Sequence, residues 1–297
     1  EFVSKSLSRK RMIGSDFVAE RELPTGAPPD LLQAILGSTR HAVEMARTSR
    51  PLAVLEKLAG EREPQGKLFG EVLSCSGSLS VIAECKRRSP SRGVLREDYR
   101  PALIASAYEE AGAVAISVLT EPAFFDGALD HLTSVRGAVD IPVLRKDFIV
   151  CDYQLWESRA AGADAVLLIV AALDDVELSG LLKLAKDLRL AVIVEVHTER
   201  ELHRAIAADA EIIGVNNRNL RSLEVDTSVS LSLIDAIPKD TVAIAESGIG
   251  SSGDLDKLSA RGYRGFLVGE SLVTQGDPGA ALRDLVRRPK PTDVGGR

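Results

Sequence analysis

At 297 residues, 45% of them hydrophobic and 24 of them glycine, the chain is long enough for one large barrel or two small domains and too apolar to be disordered over most of its length. A formal net charge of -6 leaves no basic face to neutralise a nucleic-acid backbone, so basic residues act locally. No apolar run reaches the length of a membrane span, and the three cysteines, Cys75, Cys85 and Cys151, are odd in number and lack C-x-x-C spacing, which indicates a reducing, cytoplasmic compartment rather than disulfides or zinc.

Residues 1–29 are polar, basic at Lys5, Arg9, Lys10 and Arg11, and proline-rich at their end; they read as a flexible or vector-derived leader with Met12 as the candidate native start. A helical pattern opens at Asp30, a good N-cap, and places Leu31, Leu32, Ile35 and Leu36 on one face before stopping ahead of Pro51. A second helical stretch spans 51–59, and a polar connector runs to about residue 79.

From Val81 the pattern changes. Short runs rich in Val, Ile, Leu and Ala recur at 81–83, 113–119, 141–144, 163–170, 190–194, 211–215, 241–245 and 265–268. Amphipathic helical segments separate and follow them at 100–111, 127–136, 152–161, 174–188, 198–207, 227–236, 251–261 and 277–286. Such alternation builds a parallel sheet, and eight units are the number that closes a (β/α)8 TIM barrel. The expectation is one barrel domain over 30–288, its N-terminal helical extension lying across one end, with a polar tail at 289–297.

A parallel barrel carries its chemistry at the carboxyl ends of its strands. The first run leads into Glu84-Cys85-Lys86, whose spacing puts the carboxylate and the ammonium on one strand face, where both cost desolvation unless they pair or meet a ligand. The others end in Arg145-Lys146-Asp147, Glu195-Val196-His197, Asn216-Asn217-Arg218 and Glu246-Ser247-Gly248. Five polar strand ends converging on one pocket imply acid-base chemistry, with lysine pKa values able to fall and glutamate values to rise toward neutrality. No metal or cofactor is implied: His41, His131, His197 and His203 show no ligand spacing, and His197 falls outside the catalytic set.

Ser89, in a turn with Pro90 and Arg92, and the loops at Ser247-Gly248 and Gly269-Glu270-Ser271 stand where barrels commonly hold a phosphate. The G-x-G-x-x-G match from Gly248 to Gly253 falls in the seventh unit rather than in an opening βαβ, so it is discounted as a dinucleotide fingerprint. Trp156 reads as packing, and Cys85 as a small buried residue facing the helices.

The segments I-A-E-C-K-R-R-S-P-S-R-G, V-L-R-K-D-F-I-V, V-E-V-H, G-V-N-N-R-N-L, A-E-S-G-I and L-V-G-E-S-L, in that order, closely resemble the indole-3-glycerol phosphate synthase family over about 30–287. The resemblance implies a carboxy-lyase of tryptophan biosynthesis acting on 1-(2-carboxyphenylamino)-1-deoxyribulose 5-phosphate. By match to the family, Lys146 is the acid for ring closure, Lys86 meets the substrate carboxylate, Glu195 exchanges protons at the substrate hydroxyl region and Glu84 is the base of the final step. Asn216, Arg218 and Glu246 match polar positioning groups, and Ser89, Ser247, Gly248, Gly269 and the backbone amide of Glu270 match a phosphate cradle. The implied partner is this phosphorylated small molecule, with no nucleic acid or membrane; another tryptophan-pathway enzyme as partner is not readable from the sequence. Two rivals stay open here: a barrel isomerase of a related phosphosugar amine, and a non-catalytic barrel that binds phosphorylated ligands.

Overall fold

The computed structural model describes residues 30–74 and 79–287, so the expected leader, Cys75 and the expected tail lie outside the described residues. Eight short strands form the barrel: β1 (Ser80–Cys85), β2 (Ala115–Leu119), β3 (Val143–Lys146), β4 (Ala165–Ile169), β5 (Ala191–Val196), β6 (Ile212–Asn216), β7 (Val242–Glu246) and β8 (Gly265–Val268). All neighbours are parallel, each strand pairs with the ones before and after it in sequence, and β8 closes on β1. Every residue of β1, β2, β4, β6, β7 and β8 is buried, which is why these strands read as continuous apolar runs rather than as alternating ones.

Several strands run past their apolar stretches into the charged residues that follow. Glu84 and Glu195 are penultimate in β1 and β5, while Lys146, Asn216 and Glu246 end β3, β6 and β7. These side chains are therefore carried on hydrogen-bonded strand ends: Glu84 is registered opposite Ser117, Glu195 opposite Ile169 and Gly214, and Asn216 opposite Glu246. Strand ends hold a side chain's position more tightly than loops do.

The N-terminal segment departs from the expected arrangement across one end. Helix α1 (Leu31–Ser49) brings Leu31 and Ile35 to the cavity at the carboxyl ends of the strands. Helix α2 (Leu52–Ala59) packs along the outside, against the helix Asp152–Ala161. The expected polar connector contains a third helix, α3 (Gly66–Ser74), which buries Phe69 and Leu73 and lies under the opposite end of the barrel. There Gly66 sits against Arg189 and Ala191 ahead of β5, and the Ser80 hydroxyl donates to the Val72 carbonyl at 3.0 Å. The segment thus runs from one mouth to the other.

One carboxylate ties that lower end together. Asp164, fully buried just before β4, accepts from Arg62 at 2.7 Å and from the Gln65 amide at 2.6 Å through one oxygen. Its other oxygen accepts from Arg136 and from the Val143 amide, both at 2.8 Å. Cys85 faces the helices, its thiol 3.8 Å from the Pro101 carbonyl, and burial pushes its pKa up and so keeps it unreactive. Trp156 packs against the core. Among the described residues no helix is long and apolar enough to cross a membrane.

Candidate active site

At the carboxyl ends of the strands lies a cavity of about 640 Å³. Glu84, Lys86, Ser89, Lys146, Glu195, Asn216, Arg218, Glu246, Ser247, Gly248, Gly269 and Glu270 all line it, so the structure brings every sequence-expected site residue to one place. Part of the remaining wall is apolar: Leu31 and Ile35 from α1, Leu119, Phe125, Phe148, Leu167 and Ile169. A flat apolar ligand fits such a wall, with the charged groups at its edges.

Lys146 is at the centre of the charged floor. Its Nζ is 3.0 Å from Glu195 Oε2 and 3.4 Å from Glu246 Oε2. Burial alone would lower the lysine pKa, but Glu195, Glu246 and Glu84 together outweigh it and hold the ammonium above the ordinary lysine range. The expected fall in lysine pKa is thus reversed for Lys146, because three carboxylates surround one cation. The glutamates divide. Burial would raise Glu195, yet Lys146 and His197 bring it below the usual carboxylate range. For Glu246 burial prevails over Lys146, and Glu195 adds repulsion, so its pKa rises to about 8. One cation cannot hold two fully buried carboxylates ionised, and the outcome is an ionised Glu195 beside a Glu246 protonated at neutral pH. At the neighbouring strand Lys86 pairs with Glu84 at 2.5 Å.

Two glycines make room for this floor. A Cβ on Gly214 of β6 would stand 2.2 Å from Glu246 Oε1, and one on Gly269 would stand 2.2 Å from Glu84 Oε1. Any side chain at either position would push a carboxyl out of place.

The opposite side of the cavity is polar and cationic. The Ser89 hydroxyl lies 3.4 Å from that of Ser91, and Arg218 reaches Ser91 at 3.1 Å. Arg92 and Arg218 meet the Glu270 carboxylate at 3.0 and 3.4 Å, so that carboxylate is countered by two guanidiniums. Ser247 takes a left-handed backbone, φ 65°, a conformation that a non-glycine residue holds only when its surroundings impose it. Asn217 ties this turn to the neighbouring helix: its amide donates to the Ser247 carbonyl at 3.0 Å while its oxygen accepts from the Ser230 hydroxyl at 2.8 Å. The loop after β1 forms a small antiparallel ribbon, Arg88–Ser89 with Gly93–Val94, and Arg87 and Arg88 anchor it to Asp126 at 3.2 and 3.6 Å.

Two contributors to the site lie outside the residues expected from the sequence. The apolar wall carried no signal, since core and cavity-lining strand residues look alike. His197, outside the expected catalytic set, places its Nε2 3.4 Å from Glu195 Oε1.

The family model described as indole-3-glycerol phosphate synthase matches residues 32–285, which takes in the whole barrel. The chain belongs to the indole-3-glycerol phosphate synthase family. Relatives bearing that name include one from Laribacter hongkongensis, 45% identical over 86% of this chain and 98% of its own length. Others come from Micrococcus luteus, 48% identical over 85% and 96%, and Mycolicibacterium gilvum, 50% identical over 81% and 84%. The 3-hexulose-6-phosphate synthase of Salmonella typhimurium shares the fold alone, with a TM-score of 0.58 at 13% identity over 70% of this chain and 97% of that one. Membership in the indole-3-glycerol phosphate synthase family makes the chain an enzyme of the lyase class in tryptophan biosynthesis.

Proposed function

We propose that the chain converts 1-(2-carboxyphenylamino)-1-deoxyribulose 5-phosphate to indole-3-glycerol phosphate, carbon dioxide and water by lysine and glutamate acid-base catalysis. The observation that carries this reading is Lys146, a charged acid between Glu195 and Glu246, at the foot of an apolar wall in the same cavity as Arg92, Arg218 and Ser89. An aromatic ring rests on the wall, and its phosphate lies at the cationic side.

The ring carbon that bears the carboxylate attacks the ketone carbon, and the carbonyl electron pair moves to oxygen. Lys146 gives that oxygen a proton, for which it must be charged, as the ionised Glu195 beside it keeps it. Lys86 meets the substrate carboxylate until the carbon–carbon bond to it breaks and the ring regains aromaticity. The new hydroxyl then leaves as water, taking a proton from the Lys86 ammonium that the departed carboxylate has freed, while the ionised Glu195 accepts and returns the hydroxyl proton and Glu84 removes the proton from the adjacent carbon to complete the indole. Asn216 and the protonated Glu246 position the substrate hydroxyls. The Gly248 and Gly269 loops, with Ser247 and the Glu270 backbone amide, cradle the phosphate, and the two arginines on the Glu270 carboxylate offset its repulsion of the dianion. No cofactor takes part, and the setting is the cytoplasm.

The fluorescence of the indole product, followed continuously with this substrate, tests the reading. Lys146→Met should lower kcat by about 10²–10⁴-fold while the affinity for the substrate changes little. A well-folded wild-type protein that binds the substrate without turnover would overturn the enzymatic reading in favour of a binding barrel; failure to bind it would favour an isomerase of another phosphosugar amine.

A further inference from the structure

We propose that His197 is a positioning residue for Glu195: an imidazolium clamped by Glu201 that keeps the Glu195 carboxylate ionised and turned toward Lys146. His197 does not line the cavity, so whatever it contributes passes through Glu195. Glu195 uses one oxygen, Oε2, on Lys146 at 3.0 Å. Its other oxygen, Oε1, is buried and makes no hydrogen bond among the described residues, and the same is true of His197 Nε2. These two atoms face each other at 3.4 Å.

The other ring nitrogen, Nδ1, lies 3.3 Å from Glu201 Oε2, and the His197 backbone N–H donates to that same oxygen at 2.7 Å. Glu201 is itself fixed. It occupies the first turn of the helix Glu199–Ala207, where its amide donates to the Thr198 hydroxyl cap at 3.2 Å. The ring is therefore bracketed by a carboxylate at each nitrogen. A neutral imidazole has one N–H and one lone pair, so it would turn the lone pair on one of the two carboxylates; only the imidazolium meets both. Burial favours the neutral ring, but the carboxylates of Glu201 and Glu195 reverse that preference and raise the His197 pKa, while Glu246, facing the ring from β7, is itself protonated at neutral pH. With His197 charged, Glu195 has a cation on each oxygen, Lys146 at Oε2 and His197 at Oε1.

The inference rests on the proton-transfer role proposed for Glu195, so two measurements are needed, one of them independent of turnover. In the first, the imidazole ¹H–¹⁵N signals of the full chain are followed between about pH 5 and 9. His197 is expected to stay protonated at both nitrogens beyond ~6.5, where free histidine is half neutral, and Glu201→Gln is expected to bring its midpoint down. A neutral His197 ring at pH 7 overturns the inference whatever Glu195 does. In the second, kcat is measured against pH for wild type and His197→Gln, which keeps an N–H toward Glu195 but no charge. The acid limb is expected to move up by about one pH unit or more, with KM nearly unchanged. A limb that stays in place while kcat falls uniformly would mean that His197 only fills space, and overturns the inference as well.

Discussion

Replacing Glu246 with glutamine should leave the protein more stable in mild alkali than it is with its own carboxyl. Glu246 is buried at the end of β7, neither oxygen makes a hydrogen bond among the described residues, and the one nearby ammonium, Lys146 at 3.4 Å, is shared with Glu195. Burial raises its pKa from 4.5 to about 8. The folded protein therefore keeps a proton that the unfolded chain has already lost between those values. The contribution of the group to stability is complete below pH 4.5 and is lost as the pH rises through about 8. At about 1.4 kcal/mol for each pH unit of that window, the loss is on the order of 5 kcal/mol. Glutamine cannot ionise, so the variant should not show it. Equilibrium urea unfolding of both proteins at several pH values from about 5 to 9 provides the comparison, and titrating groups remote from Glu246 cancel in the difference. The gap should widen in favour of Glu246→Gln as the pH rises. Parallel stability curves would refute the account of a carboxyl held neutral by burial.

Gly214→Ala should lower kcat by up to about 10²-fold and cost about 1–3 kcal/mol, because the new methyl would stand 2.2 Å from Glu246 Oε1 and 2.8 Å from Ile193 Cγ2; unchanged turnover would show that the carboxyl has room to move. Asp164→Ala should destabilise by about 3–5 kcal/mol, since it strands the Arg62 and Arg136 guanidiniums, while kcat at 25 °C stays near wild type because Asp164 lies at the far end of the barrel. Bound substrate analogue should slow hydrogen exchange across 87–98, the loop that carries Ser89 and Arg92; exchange indifferent to the analogue would refute closure of that loop.

The barrel was legible because a strand buried on both faces and an amphipathic helix leave opposite imprints on a sequence, and eight repetitions of the pair leave few other closed arrangements. The polar site was legible for a related reason: Glu84, Lys146, Glu195 and Glu246 interrupt runs that burial otherwise keeps apolar. Helix α3 was not, since Phe69 and Leu73 are only two buried anchors in a short segment that also carries Gly66 and Gly70, too few to show a helical period. The placement of α1 and α2 depends on partners remote in sequence, such as the Tyr153 hydroxyl donating to the Arg50 carbonyl at 2.9 Å. His197 shares a strand face with Glu195, and that parity was visible. What singled it out was Glu201 folding back on it, a contact that exists only once the helix has formed.

Gly214 and Gly269 show that the address of a carboxyl in this barrel is written partly on the strand beside it. Transplanting the acidic and basic residues alone onto another eight-stranded barrel would deliver the right groups into sites already occupied by neighbouring methyls. A working graft would have to carry the two vacant Cβ positions along with the charges, so the smallest transferable unit of this chemistry is a pair of adjacent strands rather than a set of side chains.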